Sequence, residues 1–314
     1  MRKILKSSPK RLPTHYLRFA PRRGHGRRSA LLERLLARAD PAAAVADWRA
    51  DAFRVIAPDA PRLPDPAPCV FYAERGPLAA GSIFIATPVH YVAEMTRITL
   101  PNDGVILLHQ WQADDLAADF NRVWDGAGIR LLAGRRANLF CVFDAAIDAA
   151  TTDPEHVPGG RIENRLPDGA DAPRLRQLMS EMEMWLFEHP VNRPRAAEPQ
   201  PAVNGLWLWG GGVPLDRLPP VEGWTAGSDP YFSAFAGRPE FSPGVSGVMA
   251  SAATPGSDEW HEVESAWLER SVHALRRGEI EQLALSCGAR CATLTPRASF
   301  RFWRRRRAWW EFFE

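Results

Sequence analysis

Residues 204–212 read Asn-Gly-Leu-Trp-Leu-Trp-Gly-Gly-Gly, and this stretch indicates how the chain folds. In an extended chain successive side chains point to opposite faces, so the two leucines share one side and the two tryptophans the other. A strand that is apolar on both sides is typical of a central strand in a sheet covered by helices. The stretch therefore predicts the α/β fold class, with a mainly parallel or mixed sheet flanked by helices.

Three glycines, Gly210, Gly211 and Gly212, follow this predicted strand directly. Because glycine has no Cβ, it can adopt positive φ and lets a ligand or a second backbone come close. Ligands of open α/β sheets bind beyond the carboxyl ends of strands, and successive backbone N–H groups can hold an anion. We interpret the glycines as a candidate ligand-binding turn; the alternative is a tight turn that only ends a buried strand.

Four polar residues lie close to this strand in the sequence: His189, Asn192, Arg193 and Asn204. The guanidinium of Arg193 can bind a phosphate or carboxylate through two parallel hydrogen bonds. We therefore predict that this group contacts a small anionic ligand. The alternative is that the asparagines bond to nearby backbone and that the histidine only lies near a helix end.

Two further histidines, His90 and His156, lie beside prolines in predicted turns. Each is a candidate for ligand binding, since imidazole changes charge near neutral pH. The chain contains no His-Glu-x-x-His, no Gly-x-Ser-x-Gly and no P-loop sequence. From the sequence we predict neither a bound metal nor a cofactor.

Composition favours a reduced, cytoplasmic protein of 314 residues without membrane contact. No apolar run reaches the 18 residues of a membrane span, and the basic start lacks the apolar core of a secretion signal. Four cysteines are too few for a disulfide framework. Cys287 and Cys291 have no second ligand pair at zinc spacing, which argues against a structural zinc.

The two ends of the chain are rich in arginine. Residues 1–30 contain ten Lys or Arg and no acid, and residues 300–314 interleave arginines with aromatic rings. We predict that residues 1–28 form a disordered basic arm whose removal leaves the thermal midpoint nearly unchanged. Both ends are candidates for weak nucleic-acid contact. The alternative for the C-terminus, which we favour, is a segment docked by its rings with the arginines in solvent. The sequence indicates no particular protein partner.

Beyond the arm we predict one α/β domain over residues 29–314. The expected helices cover 29–39, 114–124, the region after Asp171 and 258–277, and the helix after Asp171 carries a Met and Trp stripe that we assign to the core. Expected strands include 69–73, 82–86 and 139–143. Residues 213–257 are rich in Pro, Gly and Ser, and we predict a long surface excursion there.

The central motifs carry a family resemblance. His189-Pro-Val-Asn-Arg193, Pro201-Ala-Val-Asn204 and the Trp-rich strand resemble the signature of RpfE-type regulatory proteins, which are labelled cofactor-independent phosphoglycerate mutase-like. The resemblance extends loosely over residues 65–310 and is most specific from 166 to 212. It implies a degenerate form of the alkaline phosphatase superfamily fold.

The same stretch is similar to archaeal-type phosphoglycerate mutases. That similarity implies two metal ions held by Asp and His, and a Ser or Thr nucleophile. Upstream, Thr87-Pro-Val-His90 resembles the Asp-Pro-Val-His of the regulatory family, with Thr87 in place of the acid. This sequence departs from the mutase pattern, because the N-terminal Asp-Gly metal motif is missing, no Asp-His pair occurs and Glu155-His156-Val157 replaces Pro-His-Asp. Gly134-Arg-Arg136 stands at the family's Tyr-Arg-His, which makes Arg136 a candidate basic ligand contact.

Two-metal chemistry requires the acids that hold the ions. The leading hypothesis is therefore a non-catalytic, mutase-like regulatory protein that binds a small phosphorylated or carboxylated ligand. The alternatives are an active metal-dependent phosphoglycerate mutase and, less favoured, a nucleic-acid-binding regulator.

Overall fold

The computed structural model describes residues 13–21, 27–95, 97–101, 103–157, 162–198, 200–236, 241–301 and 303–313. Residues 1–12 of the predicted arm lie outside this set. The chain divides into two compact units, where the sequence predicted one domain. Unit 1 consists of Met1–Leu63 and Pro220–Glu314, and unit 2 is the intervening Pro64–Pro219.

The strands are β1 Thr14–Phe19, β2 Ala43–Ala44, β3 Ser82–Val89, β4 Val92–Glu94, β5 Arg97–Thr99, β6 Ile129–Ala133, β7 Leu139–Phe143, β8 Gly205–Gly212, β9 Trp224–Gly227, β10 Gly247–Ala250, β11 Gln282–Cys287 and β12 Arg290–Leu294. The helices are α1 Ala30–Leu36, α2 Trp48–Ile56, α3 Pro66–Arg75, α4 Gln110–Val123, α5 Ala172–Phe187, α6 Asn192–Ala197, α7 Pro230–Ala234, α8 Trp260–Val263 and α9 Glu269–Arg276. A π-helical segment, Glu264–Leu268, connects α8 to α9.

Unit 1 is built on a mixed six-stranded sheet in the order β2-β12-β11-β1-β10-β9. β1 runs parallel to both neighbours, and Leu17 is paired with Met249 of β10 and Leu285 of β11. Residues 14–19, which the sequence placed in a disordered arm, are therefore a central strand. The prediction failed because the surrounding positive charge obscures six residues that are almost entirely buried.

Both faces of this sheet are covered. On one face the side chains of β1 and β11 pack with α1, the helical segments after residue 260 and the buried Trp309. On the other face α2 and α7 contact the strands, and their aromatic rings meet, with Trp48 lying 5.8 Å from Phe232. The prediction of a sheet flanked by helices is confirmed.

The predicted surface excursion at 213–257 contributes to this core. β9 and β10 lie within it and pair in parallel, and Trp224 and Val248 are buried. Its glycines and prolines mark the turns between short elements. Gly247, for example, leaves room for the indole of Trp224, because a Cβ there would lie 1.9 Å from that ring.

Unit 2 holds an antiparallel sheet in the order β6-β7-β3-β8. Among the described residues β8 pairs only with β3, so it is an edge strand and not the central strand predicted. It is buried because helices α3 and α5 contact it.

Residues 69–73, predicted as a strand, belong instead to helix α3. The prolines of the preceding stretch suggested a loop, yet Pro66 occupies the first turn of the helix, where a missing N–H is harmless. The helix ends at Gly76, which has φ 88°. Helix α5 agrees with its prediction: Leu175, Met179 and Met182 are buried on one stripe.

Within the described residues no helix combines the length and apolarity needed to cross a bilayer.

We expect the central position of β1 to dominate the stability of unit 1. Leu17→Ala removes a fully buried side chain and should lower the free energy of unfolding by about 2–5 kcal/mol. Arg34→Ala, at an exposed position of α1, is the control and should change it by less than about 0.5 kcal/mol. Chemical unfolding measures both, and similar stabilities for the two variants would contradict a structural β1.

Buried His15 on β1 should make stability depend on pH. Its Nδ1 lies 2.9 Å from Ser271 Oγ, its Nε2 lies 3.2 Å from Val245 O, and burial lowers its pKa to about 4. The unfolded chain, with a histidine pKa of about 6.5, binds the proton more strongly. The contribution of His15 is therefore complete above pH 6.5 and is lost as pH falls toward 4.

The loss should amount to roughly 3 kcal/mol across that interval. His15→Gln should flatten this part of the stability profile measured by urea unfolding at a series of pH values. His261→Gln, at an exposed position, should keep the wild-type slope. If the His15 variant retains the wild-type slope, the neutral buried imidazole is not its source.

Candidate functional site

Strand β8 is buried on both sides, as its sequence predicted. Trp207 is 1% exposed, and its indole Nε1 donates to Thr152 O at 2.7 Å. The indole Nε1 of Trp209 donates to Thr87 Oγ1 at 2.8 Å. Each ring therefore contributes apolar packing and also satisfies its polar atom.

The glycines at the end of β8 make room for their neighbours. A Cβ on Gly211 would lie 2.0 Å from the ring of Phe84, and one on Gly212 would lie 2.5 Å from a carboxylate oxygen of Asp65. Gly210 adopts φ 65° and donates its N–H to Thr151 Oγ1 at 3.1 Å. The start of helix α3 thus lies directly against the three glycines, which are the last residues of β8 and not the separate turn predicted from the sequence.

The polar residues ahead of β8 hold the connector 201–204. Asn192 Nδ2 donates to Leu186 O and to Val203 O, both at 3.0 Å, and Asn192 Oδ1 accepts from Val203 N at 2.8 Å. Arg195 Nε donates to Pro201 O at 2.7 Å. The amide of Asn192 is thus fully engaged with backbone.

Asn204 and His90 complete this set of contacts. Asn204 Nδ2 donates to Tyr91 O at 2.9 Å, and its Oδ1 accepts from Tyr91 N at 2.7 Å. His90 Nδ1 lies 2.8 Å from Ala202 O, which requires the proton on Nδ1. We call the contacts of connector 201–204 with His90, Tyr91, Asn192 and Arg195 the connector clamp.

His189 is buried at the end of helix α5. Its Nδ1 accepts from Val191 N at 3.1 Å, so the neutral ring carries its proton on Nε2, which lies 3.2 Å from Asp119 Oδ2. Trp185 packs edge-on against the ring, with 4.7 Å between centroids. Burial lowers the pKa of His189, and the nearby Asp119 opposes this shift.

The other candidates are more exposed. Arg193 lies on the surface of α6, and Arg136 lies on the surface of the turn between β6 and β7. His156 is half-buried in a short 3₁₀ helix, Pro154–His156. Pro158 and Gly159, which follow it in the stretch that carries the family resemblance, lie outside the described residues.

The structure separates the candidates into groups. His90, Asn192, Arg193 and Asn204 lie near the start of β8, whereas the three glycines lie at its end. A strand advances about 3.3 Å per residue, so the two ends of β8 are roughly 23 Å apart. One small ligand cannot bridge Arg193 and the glycine end of β8.

The residues present do not match a two-metal centre. Thr87, which replaces an acid of the resembled motif, has its hydroxyl occupied by the Trp209 indole. In the ranges that the structure describes, no group of three or more His, Cys, Asp or Glu is placed to hold an ion.

Sequence reasoning missed a buried polar cluster in unit 1, at the carboxyl end of β1. Arg18 and Arg49 place their guanidinium carbons 4.2 and 4.5 Å from the ring centroid of Trp48. Arg49 also pairs with Asp229 at 2.8 Å, and both side chains are buried. Arg18, the adjacent pair Trp48-Arg49, and Asp229 are far apart in sequence and form no motif, so no local pattern could have identified the cluster.

Part of the chain is similar to known enzymes, although no protein-family profile matches it. It is 29% identical over 155 residues to the 2,3-bisphosphoglycerate-independent phosphoglycerate mutase of Methanothrix thermoacetophila. That alignment covers 48% of this chain and 39% of the mutase. It is 27% identical over 153 residues to the Methanosarcina mazei mutase, and the alignment covers 46% of this chain and 38% of that mutase. A probable mutase of Geobacter sulfurreducens is 26% identical over 166 residues, and the alignment covers 47% of this chain and 39% of that protein.

The aligned region thus spans about two fifths of the length of these relatives, and it establishes a partial, low-identity homology to the cofactor-independent mutases. Two solved structures align over most of the chain at 12% identity. The cofactor-independent phosphoglycerate mutase from Thermoplasma acidophilum gives a TM-score of 0.36 and covers 91% of this chain and 90% of its own. The PH0037 protein from Pyrococcus horikoshii gives a TM-score of 0.38, and the alignment covers 90% of this chain and 87% of that protein.

We expect neighbouring residues of α6 to differ sharply in their contribution to stability. Asn192→Ala leaves Val203 N without its partner and should lower the free energy of unfolding by roughly 2–3 kcal/mol. Arg193→Ala, at the exposed neighbouring position, should lower it by less than about 0.5 kcal/mol. Equal losses in urea unfolding would show that the connector clamp is not the reason Asn192 is needed.

Proposed function

We propose that this protein is a phosphoglycerate mutase-like regulatory protein that does not catalyse the mutase reaction and that binds a small phosphorylated or carboxylated ligand. The partial similarity to the mutases supports the relationship. Two departures support the loss of catalysis: Glu155-His156-Val157 stands where the mutases carry Pro-His-Asp, and Thr87 stands at the acid of the resembled Asp-Pro-Val-His motif, where its hydroxyl accepts a hydrogen bond from the Trp209 indole.

The chemistry of that position explains the proposal. A divalent metal is held by charged carboxylate oxygens, whereas a threonine hydroxyl is neutral. The Thr87 hydroxyl accepts a hydrogen bond from the nearly buried ring of Trp209. The position contributes to the packing of β3 against β8.

We place the ligand contact at Arg193. The amides of Asn192 and Asn204 are engaged with backbone, and the pKa of buried His189 is lowered, which leaves Arg193 as the exposed cation among the candidate residues at this end of β8. The connector clamp fixes the backbone beneath it. The glycine end of β8 is the weaker candidate for ligand binding because the Asp65 carboxylate next to Gly212 repels an anion.

An active metal-dependent mutase is the second candidate, and the names of the similar proteins favour it. The two functions predict different outcomes with the same compound. A regulatory protein binds 3-phosphoglycerate or a related acid without converting it, whereas a mutase converts it.

We expect 3-phosphoglycerate to raise the thermal midpoint of the wild-type protein without being converted to 2-phosphoglycerate, with or without Mn²⁺. A ligand at about 100 times its dissociation constant stabilises the folded state by about 2.7 kcal/mol. Arg193→Ala should lose this shift, and Arg193→Lys should recover part of it because a point charge cannot form two parallel hydrogen bonds. Thermal melting and a mutase assay on the same preparations measure both properties.

The Methanosarcina mazei mutase serves as the positive control of the assay, and Arg135→Ala, in an exposed turn, as the control for loss of charge. Metal-dependent turnover would establish that the protein is an active mutase. If phosphate, 3-phosphoglycerate and other small acids all leave the wild-type midpoint unchanged, the anion contact at Arg193 is wrong.

A further inference from the structure

The C-terminal segment of unit 1 presents a row of arginines to solvent. Arg304, Arg305, Arg306 and Arg307 are all exposed, and the next two residues, Ala308 and Trp309, are buried. This agrees with the sequence prediction of a segment docked by its rings. The basic run is therefore part of the folded surface.

Contacts on both sides hold this row in place. Arg301 Nη1 donates to Arg38 O at 3.2 Å, and Arg304 Nη1 donates to Ala39 O at 2.9 Å, just beyond the end of α1. On the other side Trp309 Nε1 donates to Arg27 O at 3.1 Å, just before α1 begins. The conformational cost of ordering this backbone is met when the protein folds, so a partner that binds here does not have to meet it again.

Among the described residues, two carboxylates near this segment pair with other arginines. Asp40 binds Arg301, and Glu33 binds Arg28. Over the described part of the chain, none of Arg305, Arg306 and Arg307 forms an ion pair with a carboxylate. Adjacent like charges repel, so a fixed row of them is a surface that attracts a polyanion.

An aromatic ring lies at one end of the row. Trp303 is 67% exposed, whereas Trp310, Phe312 and Phe313 pack against the core of unit 1. A basic track beside an exposed ring is the arrangement that binds single-stranded nucleic acid, with phosphates along the track and a base stacked on the ring. Binding to a membrane surface requires a larger apolar face than one ring provides.

We propose that residues 303–307, which we call the arginine strip, bind single-stranded nucleic acid. The arginines contact successive phosphates, and the indole of Trp303 stacks on a base. This inference does not depend on the proposed function, because it rests only on residues of unit 1.

The first experiment measures the binding of a fluorescent 20-nucleotide oligo-dT and of oligo-U by anisotropy, between 50 and 200 mM salt. Each phosphate contact lowers the slope of log K against log salt by about 0.7 for a single strand. The triple variant Arg305→Gln, Arg306→Gln, Arg307→Gln should bind about tenfold or more weakly at low salt, with a slope smaller by about 2.

A matched control removes the same number of charges elsewhere. Arg135→Gln, Arg176→Gln and Arg217→Gln are all exposed positions of unit 2 and should leave oligonucleotide affinity close to that of the wild type. Thermal melting of both triple variants establishes that they are folded. Absence of wild-type binding at 50 mM salt, or an equal loss in both triple variants, would overturn the proposal.

The second experiment tests the stacking contact. Trp303→Ala should weaken oligonucleotide binding by roughly five- to a hundredfold, and Trp303→Phe should retain most of it. Heparin, a polyanion without bases, should bind both variants as it binds the wild type. An equal loss of heparin affinity, or tighter binding to phosphatidylserine vesicles than to oligo-dT, would overturn the assignment to nucleic acid.

Discussion

The parallel pairing of β1 in the middle of its sheet is the constraint on which unit 1 depends. Residues 14–19 meet partners more than 200 positions later: Thr14 N donates to Ser246 Oγ across 232 residues, and His15 contacts Ser271 across 256. Closing so long a loop has a substantial entropic cost, but that cost rises only slowly with length. The sheet cannot be completed before β10 and β11 have been synthesised, whereas unit 2 is one uninterrupted segment whose antiparallel pairs are closer in sequence.

A second rule, that buried polar groups need partners, explains why most candidate site residues hold the fold together. The connector 201–204 lies between helix α6 and strand β8, and Asn192 and Asn204 supply hydrogen bonds that a strand partner would otherwise supply. Arg18 follows the same rule in unit 1, since it donates to Gly288 O at 2.9 Å and stacks on Trp48. A polar residue in a motif that resembles a known family therefore indicates burial as readily as ligand contact, and exposure separates Arg193 from Asn192 and Arg195.

Local patterns in the sequence predicted the elements that depend on local physics. The apolar residues on both sides of β8, the buried stripe of α5 and the C-terminal segment anchored by Trp309 all agree with the structure. The failures involve distant partners or competing local signals. β1 is short and surrounded by positive charge, and only its pairing with β10 and β11 makes it a strand. In α3 the prolines that suggested a loop occupy the first helical turn. The candidate site was predicted as one cluster because its residues are close in sequence, but an extended strand carries neighbours in sequence far apart in space.

The two proposed binding properties rest on different units, and this separation has a physical consequence. Arg193 depends on the connector clamp within Pro64–Pro219, and the arginine strip depends on Arg27 and Ala39 within Met1–Leu63. A change that abolishes one activity and spares the other therefore identifies the unit responsible. Unit 2 contains the motifs that resemble the mutases from residue 166 to 212, whereas the arginine strip belongs to unit 1, so the two proposals can be tested separately. The basic C-terminal segment needs no mutase ancestry to explain it, because its charge, its anchoring and its exposed ring are sufficient for the function proposed.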